Sequence, residues 1–487
     1  MIRPIQLACL LLLIITRIAV ADSLGPITLT EDKLFTLIKE MPPSLVRAQI
    51  ALHLKESSKR SFSENFGAEL SASASQLSSS EISLSAFAPV TSKMSSLKMG
   101  VAKKFRRGVA VELTAYKNQY TNTMLTDVTS TGLTMQLSID LYKDLLGRLT
   151  KARWSSLVYD KQRSKLEERL ATAGFIVQLR KLYWSLVANS EARKLVNSLI
   201  KASKRQVALA QRRLKERVAD YGEVARYKSQ LASRKAQLIY LNYKKERAVQ
   251  VMKGLLPTIA QQKIVLGTYS LDETVYQFFG CINQIKDYKE VPLANTTYDE
   301  IITIINKQAV ESDRIHRAHD LPDLKLQLAA DTMGKALGGS EAFDQFKNNS
   351  RGSISGAISL TIPLGREKKN SQEILQLITK MSRDAAVKES RSKIDAYHTQ
   401  IVASIDLLQQ VISNQRDNSK YLSESIGVSR KKYIQARITV EQLVSKEDAL
   451  LSSQLDEIET KLEVISTLLD YFSVFTETPC AMNRKQI

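Results

Sequence analysis

One motif written twice, 219 residues apart, constrains this chain more than any other feature of it. Residues 132–141 (GLTMQLSIDL) alternate without exception, with Leu133, Met135, Leu137, Ile139 and Leu141 on one side and Thr134, Gln136, Ser138 and Asp140 on the other. Strict period-two alternation is the signature of a strand with two unlike faces. At the offset of 219, Ile354, Ile358 and Leu360 fall in the phase of Met135, Ile139 and Leu141. Ile362 and Leu364 extend that phase, and Ser353, Ser355, Ser359 and Thr361 occupy the other face. Proline-free, helix-forming stretches of 67 and 68 residues then run from Gly147 to Leu214 and from Gly365 to Tyr433, and Leu214 and Tyr433 are again 219 apart. Each breaks briefly, at residues 215–222 and 434–440, and resumes as helix for about 40 residues. A fixed internal period of this kind marks a duplicated architecture.

Each copy has a leading half as well. A helical stretch over residues 43–60 precedes Phe66, Ala68, Leu70, Ala72 and Ala74, which alternate with Glu69, Ser71, Ser73 and Ser75. Its counterpart at 298–319 precedes Leu324, Leu326 and Leu328, which alternate with Asp323, Lys325 and Gln327. The first repeat thus spans residues 22–257, with strands near 65–75 and 132–141 and long helices over 148–254. A connector fills 258–297. The second repeat spans 298–476, with strands near 323–330 and 353–364 and helices over 366–475, and a tail follows at 477–487. The first repeat carries extra alternation over 97–116, in Leu97, Met99 and Val101 and again in Val109, Val111, Leu113 and Ala115, around a turn at Arg106-Arg107-Gly108. This reads as an added hairpin whose place in the fold the pattern leaves open.

The first 21 residues read as a secretory signal: Arg3, an apolar run over 7–15, and Ala19-Val20-Ala21 before Asp22. No later apolar stretch is long enough to span a bilayer as a helix. A composition of 44 % hydrophobic and 25 % charged residues does not separate a soluble chain from an outer-membrane barrel, because only every second barrel residue meets lipid. Cys281 and Cys480, both at the ends of helical repeats, are the two cysteines left after cleavage. They read either as a disulfide in an oxidising compartment or as two free thiols.

Alternation over about ten residues suits a tilted strand crossing a bilayer. One such segment fits a soluble sheet equally well; four of them, placed symmetrically beside very long helices, favour a pore. Four strands cannot close a barrel, and open edges are not tolerated in hydrocarbon, so several chains must contribute. On four strands per chain, a trimer with twelve is the smallest assembly that conducts. The helices, each roughly 100 Å long if straight, are too charged to enter a membrane and belong in the periplasm. Stripes such as Leu195, Leu199, Ala202, Gln206, Leu209 and Leu214, or Ile401, Ile405, Leu408, Val411 and Ile412, predict antiparallel coiled-coil packing.

The chain at this point resembles the TolC family of outer-membrane channel proteins over nearly all of its mature length. The resemblance rests on SIDLYKDLLGRLTKAR (138–153), on HDLPDLKLQL (319–328), and on a helix-tip pattern similar to Y-x-x-G-x-x-x-x-x-D followed by two apolar positions. The second copy of that tip reads Tyr433, Ala436, Gln442, Leu443 and Val444, and the first reads Leu214, Arg217, Glu223, Val224 and Ala225. Neither keeps the glycine, and only Glu223 keeps an acid. The resemblance implies an α-barrel of coiled-coil helices joined to a trimeric β-barrel. It implies a passive conduit set in outer-membrane lipid, docking a periplasmic adaptor and an inner-membrane transporter for efflux or secretion. The tips, with Leu214, Arg217, Tyr433 and Ala436 as docking positions, would form a constriction, and Glu223, Glu441 and Glu447 are the gate candidates.

The charge is uneven. Residues 148–253 hold 26 basic and 8 acidic side chains, whereas 366–475 hold 16 of each. Such a surface suits an acidic adaptor, anionic cargo or plain solvation, and a secreted channel gives no reason to expect nucleic acid. No G-x-S-x-G, Walker A loop or H-E-x-x-H is present, so neither an enzyme nor a cofactor is expected. His316 and His319, with Asp320 and Asp323 following, read as a surface pair rather than half a metal site. A periplasmic coiled-coil scaffold remains the competing reading, and it leaves the alternating strands unexplained.

Overall fold

The computed structural model describes residues 25–40, 42–80, 91–122, 128–287, 296–319, 321–349, 351–362, 366–435 and 437–475. In chain order the elements are β1 (Ile27–Leu29), α1 (Glu31–Ile38), α2 (Pro43–Glu64), β2 (Ala68–Ser78), β3 (Thr91–Phe105), β4 (Val109–Asn122), β5 (Val128–Asp140), α3 (Arg148–Lys215) and α4 (Tyr221–Leu255). There follow β6 (Ile264–Leu266), α5 (Leu271–Asp287), α6 (Thr297–His319), β7 (Asp323–Ala336), α7 (Gly339–Asn349), β8 (Arg351–Thr361), α8 (Arg366–Ile434) and α9 (Val440–Val474). The signal segment, the tail, Ala436 and Cys480 lie outside the described residues, and with Cys480 so does its pairing to Cys281. Two units divide the chain, each drawing on both halves of the sequence. One is Met1–Ile50, Glu167–Glu300 and Ser390–Ile487; the other is Ala51–Leu166 and Ile301–Glu389.

The second unit holds one antiparallel sheet, ordered β2-β3-β4-β5-β7-β8. The sheet thus holds two strands besides the four expected of a barrel: the extra hairpin, β3 and β4, whose place the sequence pattern left open, sits inside the sheet and separates β2 from β5. The reason is backbone pairing. β3 is laddered to β2 from Ala68↔Lys103 to Ser78↔Lys93 and to β4 from Phe105↔Val109 outward, which satisfies groups that a detached hairpin would leave exposed along one side.

Register aligns the faces across all six strands. One row reads Leu70, Val101, Leu113, Met135, Ala330 and Ile354, and the next reads Ser71, Gly100, Thr114, Thr134, Asp331 and Ser353. The apolar row lies open, with Leu70 70 % and Ile354 89 % exposed. The polar side is knitted across strands: Thr134 Oγ1 donates to Asp331 at 2.7 Å and the Tyr116 hydroxyl donates to the same carboxylate at 3.1 Å. Among the described residues no helix is long and apolar enough to cross a membrane.

A tight corner links β5 to α3. Asp140 accepts from the backbone N–H groups of Tyr142 and Asp144, and Asp144 accepts from the Thr150 N–H at 2.9 Å. Leu146 and Gly147 both take left-handed backbone angles, φ 56° and 76°. Gly147 must be glycine twice over, because a Cβ there would stand 1.9 Å from the Arg106 carbonyl oxygen in the β3–β4 turn.

In the first unit, α4 and α9 are each 35 residues long, and α3 and α8 are 68 and 69. The main core gathers Leu179, Val187, Met252, Ile405, Val464 and Leu468 from these four helices, with Leu34 of α1 and Val275 of α5 packed against them. Arg180 closes one side of it with an ion pair to Glu31 at 2.5 Å, on the first turn of α1 where the helix dipole favours an acid.

Candidate functional site at the helix ends

The tips of the two helical hairpins meet, and they do so in layers. The outermost is apolar: Ala210, Val224, Tyr227 and Val444 are buried, with Val207, Leu214, Tyr433 and Val440 packed around them. The sequence-predicted tip residues Leu214 and Tyr433 therefore belong to one cluster. Arg217 stands exposed in the α3–α4 turn with φ 58°, where the Val218 N–H closes onto the Arg213 carbonyl at 2.8 Å. A left-handed residue costs a side-chain-bearing amino acid about 1–2 kcal/mol, and glycine's larger unfolded-state entropy returns part of that. Arg217→Gly should therefore raise the unfolding free energy by about 0.5–1 kcal/mol, whereas Arg217→Ala should leave it unchanged. Urea titration of both variants checks the difference.

The acid positions behave differently at the two tips. Asp220 caps α4, accepting from the Glu223 N–H at 2.7 Å, which leaves the Glu223 side chain free to reach across the tips. It accepts the hydroxyl proton of Tyr433 and pairs with Arg213 at 3.1 Å. Arg213 also donates to the Tyr433 oxygen at 2.7 Å and lies 5.1 Å over its ring. Burial, followed by the bond to Glu223, pushes the Tyr433 phenol well above its usual range, so it stays a protonated donor. At the matching position of α9, Gln442 folds back on Thr439 in a capping box, with bonds of 3.2 and 3.3 Å. That reciprocal cap occupies the side chain where the family pattern has an acid.

Glu441 is 73 % exposed and pairs with Arg226 at 3.5 Å. Glu447 is only 5 % exposed and sits in a polar layer beneath the apolar tip. There Arg430 approaches it at 2.9 Å, Gln206 donates to it at 2.9 Å, and the buried Arg234 guanidinium lies 3.6 Å away. Gln230 and Arg234 also reach Asp448, at 3.1 and 3.4 Å. All four long helices contribute. Below this layer apolar packing resumes with Val196, Ile200 and Leu451. Three polar atoms of the layer, Arg234 Nε, Gln206 Oε1 and Gln230 Oε1, are buried without partners.

Sequence reasoning passed over Arg213, Gln230, Arg234 and Arg430. Gln206 offered a signal, since it interrupts the apolar stripe of α3 where a buried amide needs a partner. In the second unit His316 lines an open cavity of about 850 Å³ with Arg163, Asp313, Arg317 and Glu373. Among the described residues no group of three His, Cys, Asp or Glu side chains could hold a metal ion.

A sheet apolar on one face and polar on the other, in a chain with paired long helical hairpins, is the fold of outer-membrane channel proteins. The outer membrane protein VceC of Vibrio cholerae matches it with a TM-score of 0.65 at 16 % identity, over 91 % of this chain and 95 % of that one. CusC, a protein that forms a transmembrane channel, matches at 0.65 and 11 % identity, over 91 % of both chains. The Campylobacter jejuni CmeC outer membrane channel matches at 0.62 and 13 % identity, over 94 % and 88 %. No family model and no curated protein matches the sequence.

Proposed function

We propose that this protein is an outer-membrane exit duct: a passive conduit, trimeric, whose periplasmic helix ends are opened by an adaptor and which passes on the cargo of an inner-membrane transporter. The observation that carries the reading is the sheet. Leu, Ile, Met, Val and Ala predominate on one face across all six strands, while Ser, Thr, Asp, Gln and further charged side chains predominate on the other. That division matches lipid outside and water inside, and a periplasmic scaffold would have no use for it. The layered tips supply the second requirement, a closure that can give way. An apolar cap, a cross-tip carboxylate bond and a polar layer with unpartnered atoms make an end held partly by polar contacts, the kind of packed interface that an adaptor could repack. The fold is shared with a Neisseria gonorrhoeae outer membrane channel, MtrE, solved in an open state (TM-score 0.57, 16 % identity). The excess basic charge of residues 148–253 suits an acidic adaptor surface or anionic cargo.

The test is planar-bilayer conductance of the detergent-solubilised protein, with particle mass measured in parallel. Stable trimers giving discrete conductance steps are expected. A monomer that stays in solution without detergent and never conducts would overturn the proposal.

A further inference from the structure

We infer that the barrel wall of the assembled channel contains the β3–β4 hairpin, so that three copies close an eighteen-stranded barrel through β2 and β8; this rests on the trimeric duct proposed above. Three observations carry it. The first is phase. Leu97, Met99 and Val101 of β3 and Val109, Val111, Leu113 and Ala115 of β4 fall on the same face as Leu133, Met135 and Leu137 of β5. Leu97, Met99, Val101 and Leu113 are exposed there, as Leu70 and Ile358 are on the edge strands. A hairpin lying outside the wall would have no reason to share that phase. Two charged residues share this face of the hairpin between its Leu97–Lys117 pair and its turn. Lys103 lies two positions from the end of β3 with its ammonium 5.4 Å from the Phe105 ring, and Lys117, opposite Leu97, has its ammonium beside Gly339 at the start of α7; both side chains are long enough to snorkel toward a rim.

The second is anchoring. The β3–β4 turn is built into the corner at the start of α3. Arg106 stacks on Trp154 at 4.3 Å and over Phe66 at 5.7 Å, and it donates to Ser63 Oγ at 3.3 Å. Gly108 (φ 75°) passes so close to the Asp144 carbonyl that a Cβ would come within 2.4 Å of it. Turn and corner fit only when the hairpin occupies its place between β2 and β5.

The third is the pair of edges. Every residue of β2 and of β8 is exposed, unlike those of β5 and β7. In an antiparallel sheet with an even number of strands the two edges run in opposite directions, so the β8 edge of one copy meets the β2 edge of the next with ladder polarity and face both preserved. That is a head-to-tail contact, which closes into a ring, and hydrocarbon allows no unclosed edge. The occupant of each edge is therefore a second copy of this chain. Eighteen strands belong to the size class that encloses an aqueous channel. The lumen face then gains Lys98, Lys104 and Glu112 from the hairpin, and the helix ends rather than the barrel set the limit on cargo size.

Electron microscopy of the purified protein in nanodiscs counts the strands, and native mass spectrometry counts the copies. Three copies with eighteen strands are expected. Three copies with twelve strands, the hairpin lying outside the wall, would overturn the inference and leave the duct reading intact. Two copies sharing twelve strands would overturn the trimer, and a particle without a barrel would overturn the duct itself. A chain in which residues 79–127 are replaced by an Asn-Gly turn joins β2 directly to β5. Because diameter grows roughly linearly with strand number, its barrel should be narrower by about one third; an unchanged diameter would again place the hairpin outside the wall.

Discussion

Glu447→Ala should cost the helix ends about 3–5 kcal/mol, the penalty for stranding a buried charge whose partner has been removed. The Arg234 side chain is 2 % exposed, and its guanidinium lies among Glu447, Asp448 and Ser203. Asp448 survives the substitution, yet it is 53 % exposed and 3.4 Å away, so its screened charge compensates only in part. Arg430, 56 % exposed, can turn to solvent and adds little to the loss. Glu447→Gln keeps an acceptor oxygen and should cost about 1.5–3 kcal/mol, the worth of a hydrogen bond to a charged group. The paired change Arg234→Met with Glu447→Leu removes both charges and should recover most of the loss, as apolar replacements of buried ion pairs commonly do. Hydrogen exchange at the ends of α3 and α8 reads the local opening free energy directly. If Glu447→Ala left that exchange within about 0.5 kcal/mol of the parent, the layer would contribute nothing to closure, and Glu447 would have to be treated as a solvated charge.

The same residue shows where sequence reading reaches its limit. Period-two alternation is local, so β5 and β8 could be placed from Met135, Ile139, Ile354 and Ile358 alone. The 219-residue offset likewise pointed to Leu214 and Tyr433, which the structure brings into one cluster. The T-x-x-Q of Thr439 and Gln442 was also there to be read as a capping box. Burial of charge is not local. Arg234 looks like any other basic residue on a basic helix, and what makes it interior is a carboxylate more than 200 positions away, across a layer that four helices build together. Strand order is non-local for the same reason. The alternation of β3 and β4 is identical whether the hairpin joins the wall or hangs beside it. Only the ladders to β2 and β5, and the fit of Gly147 against the Arg106 carbonyl, decide its place.

Tyr433→Phe should shift the closed–open balance of the channel toward open. The hydroxyl joins the two tips: carried by α8, it donates to Glu223 of α4 and accepts from Arg213 of α3 at 2.7 Å. Removing it leaves the ring packed against Tyr227, 6.4 Å away, so the apolar cap keeps its volume and the change isolates the polar link. A hydrogen bond to a charged group contributes about 1.5–3 kcal/mol, which corresponds to roughly 10- to 150-fold in the closed-to-open ratio for each copy that opens independently. Glu223→Gln retains an acceptor but loses the charge that holds Arg213, and should open the channel to a similar degree. The double variant should open it little further than either single change, because both remove the same link. Glu441→Gln is the control: its pair with Arg226 is long and exposed, and surface pairs of that kind contribute about 0–1 kcal/mol. Single-channel open probability in planar bilayers separates these cases. Tyr433→Phe and Glu441→Gln channels with the same open probability would mean that the cross-tip bond is a packing detail, and would leave the adaptor to open an end held shut by apolar contact alone.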